Sequence, residues 1–417
     1  MAMVAKATQY KGDIQFRKND AFEYNSNETY YISLRITPAI FSAMTSPLLF
    51  AASRCLKISS LSSACVGILL STDITLLTEG RFILSDGVLH FFVALHIFAL
   101  CYMIRKSSLI SIILDGITLG FAISCKYTAL GLVAIDGISQ LVWIFVKRPD
   151  FWNIVKKAFL ILFPTFAVFY SSWIIHFIIT PYKGHCYYYL EEKYQSTLVD
   201  RLNEDLYYWG DRLIKYSLLE RIIIWNIKMN SINMRSNIPH PAGSNPIYWP
   251  LYLDKWINFY SGPNDRHIFC MGNPFLYWIT FAGIIFALIL WPFGLADYRN
   301  GLFLLGWLVS YLPFVLVPRT MFIYHYLIPL MFGILNLCTL VENMFKGELR
   351  YFVNVSITLA SLSCFIYFSP FIFGLPCQGC MDTKIWTKRW EYGPPKKVNT
   401  YGIEVFNTSE IYGSLPF

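Results

Sequence analysis

Apolar runs of membrane-crossing length, broken by short polar or basic stretches, set the pattern of this chain. Ten of them read as membrane-spanning helices, at about 32–53, 60–78, 82–104, 109–125, 127–146, 157–179, 274–293, 301–317, 321–341 and 351–373. Several exceed 18 apolar residues, too long for the buried core of a soluble helical protein. The fourth and fifth are the least cleanly marked, because Lys126 divides one long run and Asp115 and Asp136 interrupt it. Between residues 181 and 272 the apolar pattern gives way to a mixed segment. Its stretch Tyr188 to Asn230 mixes charges with Leu, Ile, Tyr and Trp, as an amphipathic helix on a membrane face or an ordinary solvated helix would.

The pattern therefore predicts an all-α polytopic membrane protein of about ten transmembrane helices with one long luminal loop. It has three parts: a six-helix half with a luminal N-terminal segment (1–180), the loop (181–272), and a four-helix half with a luminal tail (273–417). Composition agrees, with 55% hydrophobic, 18% aromatic and only 14% charged residues. Orientation is set by lysine and arginine in the short connections. With a luminal N-terminal segment, the cytosolic side carries Arg54, Lys57, Arg105, Lys106, Lys147, Arg148, Lys156, Lys157, Arg299, Lys346 and Arg350. The short luminal connections carry only Arg81, Lys126 and Arg319. The loop has ten basic and nine acidic residues, so the net charge of +8 reflects cytosolic anchors and gives no ground for nucleic-acid binding.

On this topology the acceptor sequons at Asn27 and Asn407 are luminal, and the one at Asn354 is enclosed in or near a helix. Cys186, Cys270, Cys377 and Cys380 meet an oxidising lumen. Cys186 and Cys270 bracket the loop and could staple it, and Cys377-Gln-Gly-Cys380 could close a small disulfide. A metal site there would need a second ligand pair, and none is found; no metal site is assigned. No signal peptide or apolar helix precedes Tyr30, so the N-terminal segment must be carried across by the first helix or by a span upstream. No internal repeat of the inverted-repeat transporter kind is visible.

Four polar clusters gather near the luminal boundary. Arg35 lies one turn inside an otherwise apolar helix. Gly80-Arg-Phe-Ile-Leu-Ser-Asp-Gly-Val-Leu-His90 places Arg81, Asp86 and His90 at the head of another, with Asp86 and His90 on one helix face. His240-Pro241, Tyr248-Trp249-Pro250 and Gly272-Asn273-Pro274 precede re-entry to the membrane. Arg319 and His325 open a further span. Charge inside a membrane protein usually faces a protein interior or wet cavity. An arginine fork suits a phosphate bidentately, so several arginines on one face point to a lipid phosphate; each alone could equally snorkel to headgroups. Lys126 could anchor a helix end or join the same positive pocket.

These pieces resemble the protein O-mannosyltransferases of glycosyltransferase family 39. The matching segments are Tyr31-Ile-Ser-Leu-Arg35-Ile-Thr-Pro38, Arg81-Phe-Ile-Leu-Ser-Asp86-Gly, Gly120-Phe-Ala-Ile-Ser-Cys-Lys126-Tyr-Thr, His240-Pro through Trp249-Pro250, Gly272-Asn-Pro274 and Arg319-Thr-Met-Phe-Ile-Tyr-His325-Tyr, in the family's order. The resemblance implies a GT-C fold in the endoplasmic-reticulum membrane. It implies inverting transfer of mannose from dolichyl phosphate mannose to Ser or Thr hydroxyls of secretory proteins. No bound cofactor is implied, and homo- or heterodimers with a related subunit are. Arg35, Arg81 and Arg319 would hold the donor phosphate, with Asp86, His90, Lys126 and His325 orienting the pocket and His240 and Trp249 on the acceptor side. In the family an Asp-Glu pair in the first luminal loop supplies the base. Here Ala5 to Tyr24 resembles the family's segment just C-terminal to that loop, so the first helix and the acidic pair are expected to be missing, as from a truncated chain. Asp86 is accordingly expected to organise the pocket rather than take the proton. The loop at 181–272 is too short for the β-trefoil MIR domain found in many eukaryotic members. Two other readings remain open: another GT-C transferase using a polyprenyl-phosphate sugar, and a non-catalytic partner subunit.

Overall fold

A computed structural model of the chain describes residues 31–179, 218–235 and 240–390, with residues 4, 7, 8, 188, 192–195 and 198 besides. Every apolar run becomes helix. In chain order these are α1 (Tyr31–Cys55), α2 (Ser60–Ser71), α3 (Ile74–Gly80), α4 (Asp86–Arg105), α5 (Leu109–Cys125), α6 (Leu130–Lys147) and α7 (Phe151–Ile179), then α8 (Leu218–Arg235), α9 (Pro274–Leu290), α10 (Tyr298–Leu316), α11 (Leu327–Met344) and α12 (Gly347–Phe373). Among the described residues eight spans are long and apolar enough to cross a membrane on their own. The expected ten differ at two places. The run 60–78 is broken into α2 and α3 with a 58° bend, and α5 is a shorter apolar helix of 17 residues.

The bend has a local cause. Thr72 and Asp73 interrupt the apolar run, and the Asp73 carboxylate accepts from the Leu76 amide, capping a new helix there. Asn273 secures the bend from outside. Its side-chain amide donates to the carbonyls of Thr72 and Ser361 at 3.1 and 3.0 Å while its Oδ1 caps α9. The Gly272-Asn273-Pro274 motif is thus a structural clip between α2, α9 and α12.

Helix α11 is the central post. All residues from Leu327 to Val341 are buried, against α2, α9 and α10. Asn336 pairs with Asn300 at 2.8 Å, so a polar layer is satisfied inside this packing. In the N-terminal half α1 lies against α4, and α5 against α7. Close approach explains two glycines. A Cβ at Gly87 would meet the Pro38 carbonyl oxygen at 2.7 Å, and one at Gly116 would collide with that of Ile161.

The loop holds structure that the sequence pattern did not announce. Strands β1 (Ile257–Gly262) and β2 (Arg266–Cys270) form an antiparallel hairpin, so the protein is not wholly α. Asn264 and Asp265 turn it with φ of 60° and 51°, a region these two residue types tolerate. The Tyr188–Asn230 helix expectation holds from Leu218 onward, in α8, with a single turn at Glu192–Gln195; most of the rest lies outside the described residues. Cys270 is buried without a disulfide, and Cys186 lies outside the described residues. Cys377 and Cys380 are disulfide-bonded. Asn354 is buried in α12 and hydrogen-bonds Ser62, so its sequon is closed; Asn27 and Asn407 lie outside the described residues.

Candidate active site

Antiparallel succession brings the start of α1, the segment between α3 and α4, the end of α5, the hairpin, the start of α11 and the end of α12 to one face. Contacts across that face assemble most of the clustered polar residues. Lys126, at the end of α5, donates to Asp86 at the start of α4 over 2.9 Å. The lysine also lies 5.2 Å from the ring centroid of Tyr324. Beside Tyr324, His325 stacks with ring centroids 4.4 Å apart, and its far side parallels Trp249 at 6.2 Å. Asp86, Lys126, Tyr324, His325 and Trp249 therefore form one continuous wall.

Two further groups extend it. His90, one turn along α4 from Asp86, is buried, and its Nδ1 has no hydrogen-bond partner among the described residues. Glu79 at the end of α3 is only 1% exposed, and neither carboxylate oxygen has a hydrogen-bond partner among the described residues. One donor atom each from Glu79, Asp86 and His90 lie within 4.8 Å of one another, a set that could hold a cation. Because Asp86 already accepts from Lys126, the lysine serves as the resident positive charge of this set. Glu79 is a member the sequence reading missed. The same rule that singled out Asp86, an acid at the end of an apolar run, applies to it.

The arginines fall into two places. Arg35 donates through Nε to the Arg81 carbonyl at 2.9 Å, leaving its terminal nitrogens without a protein partner among the described residues. Arg81 turns its own guanidinium away, donating to the Ile372 carbonyl at 2.8 Å with Phe373 beneath it at 5.4 Å. Burial, with the neighbouring Arg35 charge, lowers the Arg81 guanidinium from its usual value without removing its charge. Arg319 donates to Asn233 of α8 at 2.9 Å, and its Nε is buried with no hydrogen-bond partner among the described residues. Arg35 and Arg319 thus keep donors unspent, while Arg81 braces the end of α12.

His240 is exposed and meets Phe322 edge to face at 5.1 Å, beside the wall. Trp249 sits differently from the acceptor-facing position expected of it. It is 0% exposed and its indole N–H donates to Ser244 at 2.8 Å, so it backs His325 and presents no surface outward.

Comparison with known proteins identifies the family. The family description "Dolichyl-phosphate-mannose-protein mannosyltransferase" matches residues 1–180, and "C-terminal four TMM region of protein-O-mannosyltransferase" matches residues 218–390. The chain belongs to the protein O-mannosyltransferase family. Among its relatives, dolichyl-phosphate-mannose–protein mannosyltransferase 1 of Saccharomyces cerevisiae is 32% identical over 44% of this chain and 25% of its own length. Dolichyl-phosphate-mannose–protein mannosyltransferase 5 of Candida albicans is 28% identical over 42% of this chain and 29% of its own. The alignments thus span between a quarter and a third of these O-mannosyltransferases. A solved S. cerevisiae protein O-mannosyltransferase Pmt1-Pmt2 complex bound to the sugar donor shares the fold, with a TM-score of 0.81 and 18% identity over 94% of this chain and 85% of that one. The architecture is the GT-C membrane fold.

Proposed function

We propose that this chain transfers mannose from dolichyl phosphate mannose to serine or threonine hydroxyls of proteins, with inversion, at the endoplasmic-reticulum membrane. The observation that carries the reading is the pair of arginines that keep donors without a partner among the described residues, Arg35 and Arg319, in a chain of this family that also sets the Asp86–Lys126 pair near the same helix ends. The acceptor oxygen attacks the anomeric carbon as the bond from that carbon to the phosphate oxygen breaks. The electron pair leaves with dolichyl phosphate, and the hydroxyl proton passes to a carboxylate of the kind the family's Asp-Glu pair supplies, contributed in the assembled enzyme by none of the residues named above. Arg35 and Arg319 meet the charge that grows on the departing phosphate, where charge-assisted hydrogen bonds are strongest. Arg81 fixes the carbonyl that Arg35 grips. Lys126 holds the Asp86 carboxylate at 2.9 Å, so Asp86 is committed to that pair and positions the wall. The site face is luminal, and a related subunit completes the enzyme as in the Pmt1-Pmt2 assembly.

The test is transfer of labelled mannose to a Ser/Thr peptide by the full chain together with a related subunit. Arg35→Ala and Arg319→Ala each remove a charged donor worth about 1.5–3 kcal/mol, so transfer falls roughly 10- to 100-fold while protein level holds. Unaltered transfer by both variants overturns the phosphate assignment.

A further inference from the structure

A second ionisable cluster lies deep in the bundle, away from the face just described. His96 sits midway along α4, Asp115 on α5 and Asp136 on α6, with exposures of 0%, 0% and 4%. Ten residues of α4 separate His96 from Asp86, about 15 Å along the axis, so the two clusters are distinct. One donor atom from each of the three residues lies within 4.8 Å of the others.

The hydrogen bonds around His96 settle which nitrogen is free. The Thr118 hydroxyl donates to the Asp115 carbonyl at 2.9 Å, so its oxygen accepts from His96 Nδ1 at 3.3 Å. The proton is therefore on Nδ1, and Nε2 presents a lone pair. That lone pair faces Asp136 Oδ2 at 3.6 Å, and Nδ1 lies 3.8 Å from Asp115 Oδ1. Nε2 and all four carboxylate oxygens lack a hydrogen-bond partner among the described residues. A lone pair set against carboxylate oxygens in an apolar interior calls for a cation or a carboxyl proton between them. The nearest lysine does not supply it directly. Lys157 sits 4.0 Å above the Trp143 ring and makes no ion pair with either carboxyl.

We propose that His96 Nε2, Asp115 and Asp136 bind a first-row divalent cation that pins α4, α5 and α6 together within the membrane. The donor set, one imidazole and two carboxylates, suits zinc or manganese. Metal–ligand bonds of about 2.1 Å at tetrahedral angles set neighbouring donors about 3.4 Å apart, close to the His96–Asp136 spacing and beyond the length of a direct hydrogen bond. Thr118 completes the arrangement by holding the other imidazole nitrogen, the usual device for orienting a metal-bound histidine.

The experiment measures metal content and thermal unfolding of the purified full chain in detergent, after dialysis against chelator and then against zinc or manganese. Wild type is expected to retain about one equivalent of one of these ions and to unfold at higher temperature with it. Thr118→Val should weaken binding about 10- to 100-fold, and Asp136→Asn should weaken it further. Wild-type protein that takes up neither ion and shows no ion-dependent shift overturns the proposal, and the carboxyls then hold protons. Equal metal in wild type and Asp136→Asn overturns it too, as adventitious binding. The wild-type arms decide the matter even if a variant fails to fold.

Discussion

Replacing Lys126 with methionine removes the cation from Asp86 while keeping most of the side-chain volume. Asp86 is 7% exposed, and the pair closes at 2.9 Å with side-chain exposures of 32% for the lysine and 10% for the acid. Breaking a fully buried pair costs about 3–5 kcal/mol, because the stranded charge keeps its desolvation penalty. Here the lysine is partly wet and solvent screens part of the attraction, so the expected loss is about 2–3 kcal/mol. Loss of the contact with Tyr324 is included in that figure. Reversible unfolding in mixed micelles reads the change. Adding Asp86→Asn to Lys126→Met should recover at least half of the loss, since no unpaired charge is then left. A Lys126→Met protein within about 0.5 kcal/mol of the parent, or a double variant whose effects simply add, refutes the pairing and with it the wall built on it.

Gly116→Ala should destabilise the chain by about 1–3 kcal/mol by forcing α5 away from α7, whereas Gly137→Ala, whose Cβ would meet nothing within 4 Å, should be neutral or slightly stabilising in the same unfolding assay. Asn273→Ala removes the cap of α9 and two donors to buried carbonyls, a loss of about 2–4 kcal/mol; Asn273→Asp keeps the cap but sets acceptor oxygens against those two carbonyls beside Asp73, and should lose at least as much, as thermal shift will show. Arg81→Ala should lower stability by about 1–2 kcal/mol through loss of its bond to the Ile372 carbonyl, read by thermal unfolding, and equilibrium binding of labelled donor by the same variant should stay close to the parent's.

The hydropathy of the ten runs was enough to locate eight membrane-length helices among the described residues, because burial in lipid demands long apolar stretches and little else; it did not show the break in 60–78 or the short length of α5. The break at Thr72-Asp73 was also written in the chain, as a polar doublet with a capping acid, yet the apolar residues on both sides masked it. The site was legible in pieces. Arg35, Asp86, Lys126, Arg319 and His325 stood out as charge at membrane edges, but that Lys126 would take Asp86, forty positions away, depends on how α5 returns beside α4. Trp249 read as an acceptor-facing aromatic beside His240, and packing against His325 and Phe314 turned it inward. His96, Asp115 and Asp136 come from three helices, so no spacing along the chain relates them. The hairpin at 257–270 was hidden because its short strands carry no long alternating pattern.

The most direct test of the functional account is a donor exchange. The full chain with a related subunit is given a Ser/Thr peptide and, in parallel, mannose, glucose and arabinose on polyprenyl phosphate. The account predicts transfer from dolichyl phosphate mannose, with inversion at the anomeric carbon, and little from the other two. Transfer that is equal across the three sugars, or confined to glucose or arabinose, would contradict it.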